Sequence, residues 1–111
     1  MSDIKSFRDL IVWQKSMDLA VRCYEASLRL PRRHQDVLGY QLRKSSISLP
    51  SNIAEGFSRH STANYIQHLW TSHASGAELE TQLELGRRVK VVPIEEFMLL
   101  VRDAQEVGKM I

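Results

Sequence analysis

A single cysteine, Cys23, stands in the whole chain, which excludes an intramolecular disulfide and a cysteine-based metal site of the usual kind and leaves Cys23 to serve as a small apolar group. No apolar run approaches the roughly 18 residues that a membrane helix needs. Met1 to Leu10 carries charges of both signs, unlike an export leader with its basic and then apolar segments. A cytoplasmic protein with no membrane partner is the expectation. Catalytic patterns are missing too. The four histidines, His34, His60, His68 and His73, include no pair at the i, i+4 spacing of the helical metal motif, so neither metal nor cofactor is expected. Ser48, Ser51 and Asn52 have no acid–histidine pair tied to them by a motif, and Glu78, Glu80 and Glu84 show no paired-carboxylate pattern. The chain reads as a non-enzyme.

What is present is helical periodicity. Turn signals are few: Pro31, the stretch from Gly56 to Ser61, and Pro93. Between them lie four long blocks, expected as helices over about 10–30, 35–57, 61–90 and 93–111. Short connections force neighbours to pack side by side, which makes an all-α, up-down-up-down antiparallel four-helix bundle the expected fold. With 111 residues and apolar and charged fractions near the globular average, one domain spans 1–111, with 1–9 as an N-terminal extension. Ser61 is placed to cap the third helix, and Glu95 and Glu96 sit at the positive end of the fourth.

The second block is unusual because Gln41 to Gly56 holds a proline amid serines. In a helix interior Pro50 removes a donor and clashes with the preceding turn, at a cost of about 3 kcal/mol. Ser48, Ser51 and Asn52 are short enough to allow close helix approach and can bond carbonyls near the proline. With Asn52, Glu55 and Gly56, Pro50 and Ser51 form a structural motif.

Three helices also carry a second apolar face. At about 100° per residue, Leu10, Met17, Val21, Tyr24 and Leu28 share one side of the first helix, and Val12, Leu19, Cys23, Ala26 and Leu30 the opposite side. The second helix sets Leu38, Leu42, Leu49 and Ile53 against Tyr40, Ile47 and Ala54. The third adds Ile66 and Trp70 beside a seam that includes Ser72, Gly76, Leu79 and Leu83. Two faces exceed what one small bundle hides, so subunits are expected to pack together. Leu19, Cys23, Ala26, Tyr40, Ile47, Ala54, Ile66 and Trp70 are assigned to that interface.

Net charge is only +2, but residues 1–60 hold ten Lys/Arg against six Asp/Glu, whereas 61–111 hold five against seven. Arg32 and Arg33 in the first loop, Arg43 and Lys44 in the second helix, and Arg87, Arg88 and Lys90 ending the third are the candidate contacts to nucleic-acid backbone. They are expected as two zones at opposite ends of the bundle. No aromatics interleave with them, so backbone charge rather than base stacking is the expected signal.

Several blocks together resemble a known family. Trp13-Gln14-Lys15 after Phe7, Leu10 and Val12, then Gln41-Leu42-Arg43-Lys44, then Ser48-Leu49-Pro50-Ser51-Asn52-Ile53-Ala54-Glu55-Gly56, and then Gly76-Ala77-Glu78-Leu79-Glu80-Thr81-Gln82-Leu83 are similar to the bacterial four-helix-bundle proteins encoded in intervening sequences of 23S ribosomal RNA genes. The resemblance implies a ring-shaped homopentamer. A related branch, the accessory variability protein of diversity-generating retroelements, is a basic barrel of five bundles thought to bind nucleic acid and a reverse transcriptase. By that likeness the chain is an RNA- or DNA-binding accessory factor; the alternative is a scaffold for a protein partner, such as a reverse transcriptase or ribosomal component. Two features depart from the pattern: the fourth helix opens on Val92-Pro93 rather than a polar cap, and the net charge is low.

Overall fold

The computed structural model describes residues 3–111. Four helices, α1 (Ile11–Leu28), α2 (Tyr40–Ser58), α3 (Thr62–Arg88) and α4 (Ile94–Met110), run alternately up and down, each packed on its sequence neighbour and α4 closing on α1. The bundle measures 48 × 23 × 18 Å, and no strand occurs among the described residues. Ahead of α1, Ser6 caps a single turn (Phe7–Asp9), where the Asp9 carboxylate accepts from the backbone N–H of Lys5 at 2.8 Å and of Ser6 at 3.1 Å. Those two bonds, Lys5 first, hold the Asp9 carboxyl below its usual range.

The second helix begins earlier than its periodicity suggests. An α turn (Arg32–His34) and a π segment (Gln35–Gly39) lead without a break into α2. The widened turn matches a specific anchor: the Gln35 amide donates to the carbonyls of Ser27 at 2.9 Å and Leu30 at 2.9 Å at the end of α1, carbonyls that a helix end leaves without intrahelical donors. At the other turn of this end, α3 stops in a Schellman arrangement. Val91 N–H donates to Gly86 O at 2.9 Å and Lys90 N–H to Arg87 O at 3.0 Å, with Lys90 at φ 67°.

The core follows the sequence on α2, α3 and α4: Leu42, Leu49 and Ile53, then Leu79 and Leu83, then Leu100, Ala104 and Val107 are all buried. Each buried leucine or isoleucine contributes about 1.5–3 kcal/mol. On α1 the expected roles are reversed. Leu19 and Cys23 are 0% exposed and Ala26 is buried, so these three belong to the core rather than to an interface, while Met17, Val21, Tyr24 and Leu28 face outward. Side-chain size explains the choice. The stripe with Leu19 is continuous with Ser16, Ala20 and Ser27, which let α2 and α4 come close, whereas Met17 and Tyr24 would hold them apart.

Pro50 lies buried inside α2, where its missing N–H leaves the Ser46 carbonyl without its usual helical donor. The nearby hydroxyls bond elsewhere: Ser46 Oγ donates to Arg43 O at 3.1 Å, and Ser72 Oγ crosses from α3 to Leu49 O at 2.9 Å. Ser45 and Ser46 are the buried serines of this helix, and Ser51, expected among the small residues at the close approach, is exposed.

Candidate functional site

Helices α1 and α3 run in the same direction, so their C-terminal ends lie at the same end of the bundle. The two basic zones expected at opposite ends are therefore one. The side chain of Leu38, just after the first loop, lies 3.3 Å from where a Cβ on Gly86 would stand near the end of α3, and Arg29 pairs with Glu96 at the start of α4. Arg32 and Arg33 thus share an end of the molecule with Arg87, Arg88 and Lys90.

These cations are not equivalent. Arg87 and Arg88 both bond the Glu84 carboxylate, and Arg87 also lies 5.2 Å from the Phe97 ring centroid. Hydrogen bonds from Arg88 and then Arg87 hold the Glu84 carboxyl below its ordinary range. Arg43 is also committed. Its guanidinium donates to Ser27 Oγ at 3.1 Å, Gln35 Oε1 at 3.1 Å and Gln35 O at 3.0 Å. It is a half-buried clamp between the first loop and α2, not an exposed backbone contact. Gly39 gives it room, since a Cβ there would stand 3.1 Å from Arg43 Nη1. Among the described residues Arg32, Arg33, Lys44 and Lys90 are exposed and form no ion pair, and three of them, all but Lys44, lie at the end that carries the α1–α2 and α3–α4 connections, the loop end.

The motif containing Pro50 has a different task. His68 on α3 donates from Nδ1 to Asn52 Oδ1 at 3.0 Å, and its Nε2 stands 3.7 Å from Glu55 Oε2. Asn52 Nδ2 donates back to Ser48 O at 2.9 Å, and the Ser48 and Ser75 hydroxyls bond across the helices at 2.7 Å. A Cβ on Gly56 would fall 2.6 Å from His68 Cβ. Asn52, Glu55 and Gly56 thus meet one imidazole, because positions i, i+3 and i+4 share a helix face. Arg59 bonds Glu55 at 2.6 Å, and that bond holds the Glu55 carboxyl low. Among the described residues no serine hydroxyl pairs with the imidazole; the cluster joins α2 to α3. Among the described residues no three His, Cys, Asp or Glu side chains converge as metal ligands.

The remaining interface candidates lie at the surface. Tyr40, Ile47, Ile66 and Trp70 are exposed and Ala54 is half-buried. Ile66 and Trp70 line a groove of about 330 Å³ with Leu69, His73, Gly108 and Ile111, between α3 and the end of α4. Sequence reasoning missed Gln35 and His68. Gln35 has no local signal. The small residue at Gly56 with polar Asn52 and Glu55 on its face marks a close approach, but not which histidine makes it.

These features define a class: an antiparallel four-helix bundle whose buried polar groups hold its helices together. The 23S rRNA-intervening sequence protein family model matches residues 8–111, and the chain belongs to that family. In structure it is similar to a protein of unknown function from the S23 ribosomal protein family of Bacteroides thetaiotaomicron, seen in a crystal structure at 1.70 Å resolution, with a TM-score of 0.81 and 27% identity over 90% of this chain and 94% of that one. No curated protein matches the chain. No helix of the described residues is long and apolar enough to cross a membrane.

Proposed function

We propose that the chain is a non-enzymatic, self-assembling bundle of the cytoplasm that binds the backbone of RNA or DNA at its loop end. One observation carries the binding reading: the cations Arg32, Arg33 and Lys90 meet at one end with no carboxylate partner among the described residues. Backbone recognition needs charge that internal ion pairs have not already neutralised. A near-neutral subunit still binds when assembly repeats the patch, because linked weak contacts add through effective concentration. The homopentamer implied by the family resemblance repeats it five times, and the exposed stripes on the outer surfaces supply apolar area for that assembly.

The test is retardation of a labelled RNA and a labelled DNA duplex by the wild type and by a variant with Arg32, Arg33 and Lys90 all changed to alanine. The wild type shifts at micromolar concentration and the variant does not. Equal shifts by both proteins place binding elsewhere, and no shift by either removes the nucleic-acid reading. A second reading, a scaffold for a protein such as a reverse transcriptase or ribosomal component, has its own observation. Leu85 and Val89 are exposed near the loop end on the α2 side of α3, away from the Trp70 groove. Co-purification of a partner after nuclease treatment, lost in Leu85→Ser, distinguishes this reading.

A further inference from the structure

Arg32 and Arg33 stand on an arc of chain whose two ends are tied together. The arc runs from Leu30, a buried residue just after α1, to Gln35, the first residue of the π segment. The Gln35 side-chain amide donates to the carbonyls of Ser27 at 2.9 Å, Leu28 at 3.3 Å and Leu30 at 2.9 Å. Four residues on from Ser27 stands Pro31, which has no N–H to give, so the amide supplies a donor that the helix lacks there. The oxygen of the same amide is engaged as well. Gln35 Oε1 accepts from Arg43 Nη1 at 3.1 Å, and Arg43 Nη2 donates to Gln35 O at 3.0 Å. Arg43 Nη1 also donates to Ser27 Oγ at 3.1 Å, and that hydroxyl donates to Tyr24 O at 2.6 Å. One amide and one guanidinium, both half-buried, thus fasten the arc to α1 and α2 at once. Within the arc, His34 N–H closes a turn on Pro31 O at 2.8 Å, and Arg33 Nε donates to His34 Nε2 at 3.2 Å.

The third cation is fixed by other means. Lys90 holds φ 67° in the turn that closes α3, where the N–H groups of Val91 and Val92 both donate to Gly86 O, at 2.9 Å and 3.1 Å. Leu38 links the two connections, since it is buried and lies 3.3 Å from where a Cβ on Gly86 would stand. The three cations therefore project from backbone of set geometry. What such an array gains depends on the ligand. A double helix presents phosphates at regular spacing, one charge per about 1.7 Å of its axis, and cations already in place meet them without first being ordered. A single strand adapts its backbone to cations wherever they stand, and proteins that favour it add aromatic rings for its bases. Among the described residues none of Arg32, Arg33 and Lys90 lies over an aromatic ring.

We propose that Gln35 and Arg43 are positioning residues of the loop-end site, and that the fixed array they maintain selects double-helical over single-stranded backbone. This rests on the nucleic-acid reading above and adds how the site discriminates. Neither residue touches the ligand. The Gln35 amide is occupied by the α1 carbonyls and by Arg43, and the Arg43 guanidinium by Ser27 and Gln35. They act through Arg32 and Arg33, whose arc they hold closed.

Substitutions that keep the formal charge separate positioning from attraction. Arg43→Lys keeps its cation but loses the planar fork that holds Ser27 and Gln35 together, and Gln35→Ala removes the amide and leaves every charge in place. Affinities for a labelled DNA duplex and for one of its strands alone are read by fluorescence anisotropy, first at one salt concentration and then across salt. The wild type binds the duplex more tightly. Each variant loses about 5-fold or more in duplex affinity, the order expected when two arginine side chains must be ordered on binding, and changes by less than about 2-fold on the single strand. The salt slope on the duplex stays as in the wild type, because the number of phosphates neutralised is unchanged. Equal losses on both ligands assign the two residues a general structural role and overturn the proposal. So do variants that bind the duplex like the wild type, or a wild type that prefers the single strand. A wild type that binds neither ligand, or a protein with Arg32, Arg33 and Lys90 changed to alanine that binds the duplex undiminished, removes the loop-end reading itself. Circular dichroism identifies a variant that fails to fold; the other variant then decides, and the preference of the wild type needs no substitution.

Discussion

Gly56→Ala separates the steric role of Gly56 from its helical propensity. In an exposed helix interior, alanine in place of glycine gains about 0.8–1 kcal/mol. At Gly56 the added methyl would stand 2.6 Å from His68 Cβ, 3.2 Å from Tyr65 Cδ1 and 3.3 Å from His68 Cγ. The first contact is with the root of a side chain, which moves only if α3 moves. Separating the helices also lengthens the 3.0 Å bond between His68 and Asn52 and the 2.7 Å bond between Ser48 and Ser75. Overpacking of this kind costs about 1–3 kcal/mol, and weakened cross-helix bonds add to it, so the substitution is expected to be destabilising by about 1–2 kcal/mol after the propensity gain. For a domain near this size that lowers Tm by very roughly 4–15 °C. Gly108→Ala is the control at a concentration too low for assembly, where the groove it lines is open: nothing of its own chain lies within 4 Å of its Cβ position, so the same propensity gain acts alone, raising stability by about 0.4–1 kcal/mol. Both are read as thermal melts by circular dichroism at one protein concentration, because assembly makes Tm concentration-dependent. A Gly56→Ala protein as stable as Gly108→Ala would refute the idea that the motif exists to bring α3 against α2.

Three further outcomes follow from the same geometry. Asn52→Ala strips partners from His68 Nδ1 and Ser48 O and is expected to cost about 1–3 kcal/mol in urea denaturation; an unchanged midpoint would mean the cluster is ornamental. Burial pushes the Cys23 thiol up to about 12, so the native protein should resist a thiol-selective reagent at pH 8 and react at once in denaturant; equal rates would contradict its place in the core. Glu84 titrates below its ordinary value when folded, so its contribution is present above the unfolded pKa and lost as pH falls through the folded one. Glu84→Gln should therefore be less stable than wild type at neutral pH, with the gap closing in acid; a gap that persists at low pH assigns the effect to something other than charge.

Block lengths, turn signals and three of the four core stripes were readable from periodicity, because Leu42, Leu49, Leu79, Leu83 and Leu100 repeat at helical spacing against polar neighbours. On α1 periodicity gave two stripes of similar hydrophobicity, and it does not say which one is narrow enough to pack. Burial of Ser16 and Ser27 with Leu19 and Cys23 shows that small size decided the matter. The basic zones were misplaced by topology rather than chemistry, since two helices running the same way must finish at the same end. Arg43 was not separable from Lys44 in sequence. One reaches Ser27 and Gln35 while the next points to solvent, a difference set by a rotation of 100° and by the π segment before α2. The motif Asn52, Glu55 and Gly56 was visible as structural, but its partner His68 lies on another helix at a distance that no local pattern encodes.

The salt dependence of binding to a DNA duplex tests most directly whether the loop end is the functional surface. The logarithm of the affinity should fall linearly with the logarithm of salt concentration, with a slope of about 0.9 for each phosphate neutralised. Replacing Arg32, Arg33 and Lys90 with alanine should make that slope shallower by very roughly 2 to 3 for each subunit in contact, whereas replacing Arg43 with lysine should leave a steep slope. A slope unchanged by the triple substitution, or an affinity indifferent to salt, contradicts backbone binding at this end.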